Sequence, residues 1–189
     1  MAVKPVYNCF HEVLNKPTKK IDAINGQIAQ LAKDLIDTLR SISTGVGLAG
    51  NQIGAEESIL LIDVSQIDEY KNSKPILMIN PEILEFSDET IEMQEGCLSV
   101  PDFYEQVVRA KNIKVRYWDL KEQEHIEDMN EYIARVVQHE IDHLNGILFY
   151  QRLTPLKKTL AKNKLNKIKK GVILPDYPYV LPNGKLINA

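Results

Sequence analysis

Two cysteines, one tryptophan, four histidines and no long apolar run set the first limits on this chain. Cys9 and Cys97 are too few for a disulfide framework, which excludes the stapled secreted scaffolds. A membrane helix needs about 18 or more consecutive apolar residues, and none occurs. The stretch Met1–Asn8 lacks the apolar segment of a signal peptide, so the expectation is a cytoplasmic protein with no membrane partner. A formal net charge of −3 excludes a surface built wholly to hold nucleic acid, while leaving a local basic patch open. What remains is 189 residues, 44% hydrophobic and 26% charged, enough for one sizeable globular core.

Ile24, Ile28, Leu31, Leu35, Leu39 and Ile42 recur at helical spacing and predict an amphipathic helix with Asp22 as its N-cap, ending near Ser43-Thr44-Gly45. Short runs rich in β-branched and aromatic residues follow at 58–64, 75–80, 106–109 and 113–118. No long helices separate them, so they read as antiparallel strands. A second helix is expected over about 130–145, with Ile133, Val136, Val137, Glu140, Ile141 and Leu144 on or near its inner face. A third begins at Thr154-Pro155, where Thr caps and Pro takes the first helical position. It carries seven lysines and no acid through 170. After Gly171 a proline-rich tail is expected to lie extended on the surface or fray.

The chemistry concentrates in His139-Glu140-Ile141-Asp142-His143. Residues four apart on a helix lie on one face, so both imidazoles can reach one metal ion and the intervening glutamate a water beside it. The plain alternative is a helix with two surface histidines. Catalytic sites of this kind usually add a third protein ligand. No Glu or His follows His143, and Phe149 stands where a metzincin would place its third histidine. The third ligand then comes from upstream (Cys9, His11, Cys97 or His125) or from Asp176. Cys97 stands out because Gly96 precedes it and apolar Met93, Leu98 and Val100 surround it, although a buried cysteine is commonly a passive small hydrophobe. Local sequence leaves that choice open.

The glycine-rich segment 45–52 is neither a phosphate loop nor a dinucleotide motif, since no Gly-Lys-Ser/Thr follows and it succeeds a helix. In order, however, G-x-G-L-A-x-x-Q (Gly45–Gln52), E-G-C-L-S (Glu95–Ser99) and Q-H-E-x-D-H (Gln138–His143) resemble the three signature motifs of bacterial peptide deformylases. The resemblance spans about residues 13–170. Gly50 and Asn51 depart from the commonest form, in the variable part of the first motif, and the family pattern does not explain the tail.

The resemblance implies an α+β fold, with small antiparallel sheets around a central helix bearing the His-Glu-x-Asp-His motif and helices at both ends. It implies one catalytic domain over 1–170, including the basic helix at about 155–170, with a separate Pro-rich tail over 171–189. Cys97, His139 and His143 would ligate one divalent metal ion, Fe2+ in the cell and Zn2+ or Ni2+ in prepared samples. Glu140 would handle the proton, while Gln52 and the Leu98 N–H would stabilise an oxyanion. Gly47 would pair with the substrate backbone, and Val46 and Met93 would wall a methionine pocket. Asp142 is expected to orient a ligand histidine. The implied substrates are N-formylmethionyl nascent peptides. An imbalanced lysine helix is ordinarily a solvated face, but the family's work at the ribosome favours docking on ribosomal RNA. The rivals are a zinc endopeptidase on the same helix motif and an inactive metal-binding, ribosome-associated module.

Overall fold

The structure, a computed structural model, describes residues 3–188. The first apolar stripe becomes α1 (Gly26–Ser41), which buries Ile28, Ala32, Leu35 and Leu39. Asn25, and not Asp22, caps it. The Asn25 side chain accepts from the N–H groups of Gln27 and Ile28, satisfying two donors that the first turn leaves open.

The strands are β1 (Val6–Tyr7), β2 (Gly47–Ala49), β3 (Ile59–Ile62), β4 (Ile76–Phe86), β5 (Thr90–Cys97), β6 (Val100–Ala110), β7 (Asn112–Trp118) and β8 (Glu124–Asn130), closed near the C-terminus by β9 (Tyr179–Val180) and β10 (Leu186–Ile187). Five of them form an antiparallel sheet in the order β2-β3-β4-β7-β8, and β5-β6 stand apart as a hairpin. The third sheet joins β1, β9 and β10, with β1 and β9 parallel. The run Ile-Leu-Leu-Ile in β3 shows why no polar residue interrupts it. Ile59 and Leu61 pack toward α1, while Leu60 and Ile62 pack toward α2 (Glu131–Leu144). A strand covered on both faces reads as a continuous hydrophobic run.

The central helix, α2, is buried almost all round from Ala134 to Leu144, including Gln138, His139, Glu140, Asp142 and His143. Ala134, Val137 and Ile141 belong to the core shared with the sheet. Cys97 packs into a second cluster around Phe103, Val107 and Phe149. The third helix, α3 (Pro155–Lys169), starts as expected, with Thr154 accepting from the Lys157 N–H and Pro155 in the first turn. Among the described residues no helix is long and apolar enough to cross a membrane.

The tail departs from expectation. Tyr179 and Val180 are buried, because β9 adds to β1 through Val6 N–H to Pro178 O and Asn8 N–H to Val180 O, both 2.9 Å. The strand is two residues long and its partner lies at the opposite end of the chain, so no local periodicity announces it.

Candidate active site

Two elements, β5 and α2, deliver the donor atoms. Cys97 ends β5 immediately before the Leu98-Ser99 turn into β6. His139 and His143 project from adjacent turns of α2, with ring centroids 5.0 Å apart. The sulfur and the imidazole nitrogens all lie within 4.8 Å of one another, and Cys97 Sγ is 3.1 Å from His143 Nε2. Of the open choices for a third donor, Cys97 is therefore the one brought to the histidines. Cys9 is buried in the neighbouring cluster, where burial above all pushes its thiol above the ordinary range. His11 caps a short turn by accepting from the Val13 N–H, and His125 faces Asp119 at 3.0 Å.

The surroundings fit a cation. A carboxylate can only accept, so His139 Nδ1, 2.8 Å from Glu95 Oε2, is the donor, and Nε2 is the nitrogen left to face the centre. Burial opposes protonation of His139, but Cys97, Glu95 and Glu140 outweigh it and raise its pKa well above the usual value. His143 is pushed well below, by burial and then by His139 and Arg109. One thiol and two imidazoles facing one another form a donor set that could hold a metal ion. This donor set suits zinc and also iron, cobalt or nickel.

Glu140 approaches this cluster because β2 passes it with a glycine. A Cβ on Gly47 would lie 2.5 Å from Glu140 Oε1. Glu140 Oε2 is buried without a hydrogen-bond partner, and burial pushes the carboxyl up to about 7. Gln52 is held by its own carbonyl oxygen, which accepts the Ala49 N–H at 2.7 Å. Its amide nitrogen is thereby aimed at Ser99 Oγ, 3.2 Å away, and at Cys97 Sγ, 3.7 Å away.

A cleft of about 730 Å3 opens onto these groups, lined among others by Val46, Gly47, Gln52, Leu98, Val136 and Glu140. Met93 does not line it, a correction to the expected pocket. Four residues of extended strand place it about 13 Å along β5 from Cys97, where it pairs with Val107. Tyr132 and Val136 of α2 line the cleft instead. A larger cleft, about 1130 Å3, lies against the opposite face of α2 and contains none of the three donors.

The residues that sequence reasoning missed lie behind the donors. Glu95 receives Arg109 through two hydrogen bonds of 2.6 and 2.9 Å and Arg135 through one of 2.6 Å. Arg109 continues to Asp142 at 2.6 Å, which Arg152 also grips. Asp142 thus reaches His139 through Arg109 and Glu95. Glu95 stands inside the quoted E-G-C-L-S motif, the one available signal. Nothing local marks Arg109 or Arg135.

A sequence profile described as polypeptide deformylase matches residues 3–159. The chain belongs to the polypeptide deformylase family. The peptide deformylase of Salinibacter ruber is 33% identical over 98% of both chains. That of Agrobacterium fabrum is 36% identical over 92% of this chain and 100% of its own. Among solved structures, the peptide deformylase of Legionella pneumophila superposes with a TM-score of 0.80 at 34% identity, covering 92% of this chain and 100% of that one. The α+β architecture is accordingly that of peptide deformylases, which are metal-dependent hydrolases.

Two consequences follow from the geometry. Gly47→Ala must push Glu140 aside. Because a misplacement of about 1 Å can cost about 10²-fold in rate, deformylase activity should fall on that order with the metal retained; unchanged turnover would contradict the close approach. For Glu95, burial raises the carboxyl, but Arg109 and His139 outweigh it and hold it well below the usual carboxylate range. A depressed carboxylate contributes stability that is fully present above its unfolded pKa, about 4.3, and is lost as pH falls toward the folded value. Glu95→Gln should therefore lower the melting temperature at pH 7 and reduce its further decline toward pH 3. An acid limb as steep as the wild type's would contradict this role.

Proposed function

We propose that this chain removes the formyl group from N-formylmethionyl nascent peptides, using Cys97, His139 and His143 as the metal ligands. The observation that carries the reading is the convergence of these donors with Glu140 and Gln52 at one cleft beside a free sheet edge. Strand β2 is the terminal strand of the five-stranded sheet, so a peptide laid along Gly47 can add as a further strand and present its N-terminus to Glu140. Val46 and Val136 supply apolar surface for the methionine side chain. We assign one divalent ion, ferrous iron in the cell and zinc or nickel in prepared samples. The donor set accommodates all three, and the preference for iron rests on the family resemblance. A substrate made on the ribosome places the enzyme in the cytoplasm.

A divalent cation bound by these donors supplies Lewis acidity toward a water and a carbonyl oxygen. The chain's own groups do the rest. Glu140, poised near neutrality and with an unpartnered oxygen, takes the proton of the attacking water and delivers it to the departing amine. Gln52 Nε2 and the Leu98 N–H donate to the formyl oxygen as it gains charge, and each such donor is worth about 10²–10³ in rate. The Ala49 N–H fixes the Gln52 amide beforehand, so no reorganisation is needed when the charge appears. The burial of His139 and Glu140 on α2 keeps bulk water from screening these contacts.

A formyl-methionyl peptide should be hydrolysed and its acetyl counterpart left nearly untouched; equal rates would indicate an endopeptidase or a general amidase. Glu140→Ala should retain the metal, measured by elemental analysis, and lose turnover; an active, metal-loaded variant would remove Glu140 from the proton-handling role.

We further propose that α3 docks on ribosomal RNA. Lys157 and Lys164 are engaged with Glu92, Glu105 and Asp102 and Lys169 lies over the Phe10 ring, which leaves Lys158, Lys162, Lys167 and Lys170 as the exposed basic residues. Reversing these four charges should abolish co-sedimentation with ribosomes at low salt, and wild-type binding should weaken steeply as salt rises. Binding that persists in the variant, or that ignores salt, would contradict the docking.

A further inference from the structure

The chain beyond Gly171 lies outside the family profile, which ends at residue 159, yet it packs where the chemistry is placed. Leu174, Pro175, Asp176 and Tyr177 form part of the wall of the same cleft that holds Gly47, Gln52 and Glu140. The Tyr177 hydroxyl donates to Leu98 O at 2.8 Å. Two residues on, the buried Tyr179 hydroxyl donates to Ser99 O at 2.7 Å. Ser99 O also accepts the Cys9 N–H at 2.9 Å. The Leu98 side chain completes the contact, packing with Val6, Ile42, Tyr177 and Tyr179.

These bonds fall on a short and sensitive stretch. Only Leu98 and Ser99 connect β5 to β6, and the strand register shifts just before them, between Gly96 and Cys97. A two-residue turn beside a register shift has few ladder hydrogen bonds of its own to fix its peptide planes. The β5 ladder holds the N-terminal side of Leu98. On the C-terminal side, the carbonyl of Leu98 and that of Ser99 are each held by a tail tyrosine. The Leu98 N–H lies between those two anchors.

We propose that Tyr177 is a positioning residue for the Leu98 N–H donor, and that residues 171–188 form a strap setting both that donor and the cleft wall. The proposal rests on the deformylase reading for its kinetic consequence alone. The strap itself is anchored independently of the chemistry, through β9 on β1 and the packing of Leu181 with this cluster. A donor held 2.7–3.1 Å from a developing oxyanion works only while it is preorganised. Loosening its peptide should therefore reduce the rate of the chemical step while leaving ground-state binding of the peptide in place.

The test compares full-length, metal-loaded wild type and Tyr177→Phe on a formyl-methionyl tripeptide, with amide hydrogen exchange measured over residues 97–100 of both proteins. Loss of one hydroxyl should lower kcat about tenfold, less than the about 10²–10³ of deleting the donor outright, with KM within about twofold and metal content unchanged. Exchange over 97–100 should accelerate. A kcat equal to wild type overturns the proposal, as does unchanged exchange, or a fall in kcat matched by loss of metal. If wild type itself fails to deformylate the peptide, the deformylase reading fails instead, and the exchange measurement still decides whether the strap holds the turn.

Discussion

The Glu95 carboxylate is the point on which the rest of the centre depends. It is almost fully buried and receives Arg109, Arg135 and His139 at once. An isolated charge at such depth would be costly, and removing one partner from a buried pair costs about 3–5 kcal/mol because the other is stranded. The arrangement therefore admits one geometry. Glu95 on the hairpin fixes His139 on the helix. It also draws Arg109 from the facing strand into place beside Asp142, one residue before His143. His139, His143 and the strand carrying Cys97 are held in register by one carboxylate.

The same constraint accounts for the burial of α2. A helix polar along His139, Glu140, Asp142 and His143 would ordinarily turn that face to water. Here its apolar residues meet the five-stranded sheet and its polar residues meet the hairpin and the cleft, so both faces are spent inside the protein. Glycine at position 47 is the matching concession from the sheet, since any side chain there would occupy the space of the Glu140 carboxylate. Gly47 and the Glu140 carboxylate thus share one close contact. A change at either is felt by the other.

Much of this was legible in the sequence because it is local. The helical spacing of His139 and His143 and the stripe of α1 follow from a period of 3.6 residues, the Thr154-Pro155 start of α3 from capping chemistry and the unbroken apolar run of β3 from burial on both faces. The cysteine was different. Spacing left Cys9, His11, His125 and Asp176 beside Cys97, and only the ordered set of three motifs singled it out. What stayed hidden is non-local. Arg109 and Arg135 look like surface cations until the hairpin folds over the helix and buries them against Glu95. Asp22 and Asn25 are equally good caps by type, and the backbone geometry at the helix entry selects Asn25. Met93 fits an apolar pocket by composition, but the cleft wall on β5 is formed by Gln94 to Cys97. The tail reads as loose chain because its partner strand, β1, is at the other end of the sequence.

The central claim is that one thiolate and two imidazoles from this chain hold the metal. X-ray absorption at the metal edge of anaerobically prepared protein tests it directly. The account predicts one sulfur neighbour at about 2.3 Å and two nitrogen neighbours at about 2.0–2.1 Å for a zinc-loaded sample, with the sulfur lost and the nitrogens kept in Cys97→Ser. A metal shell without sulfur in the wild-type protein, or one that Cys97→Ser leaves unchanged, would contradict it.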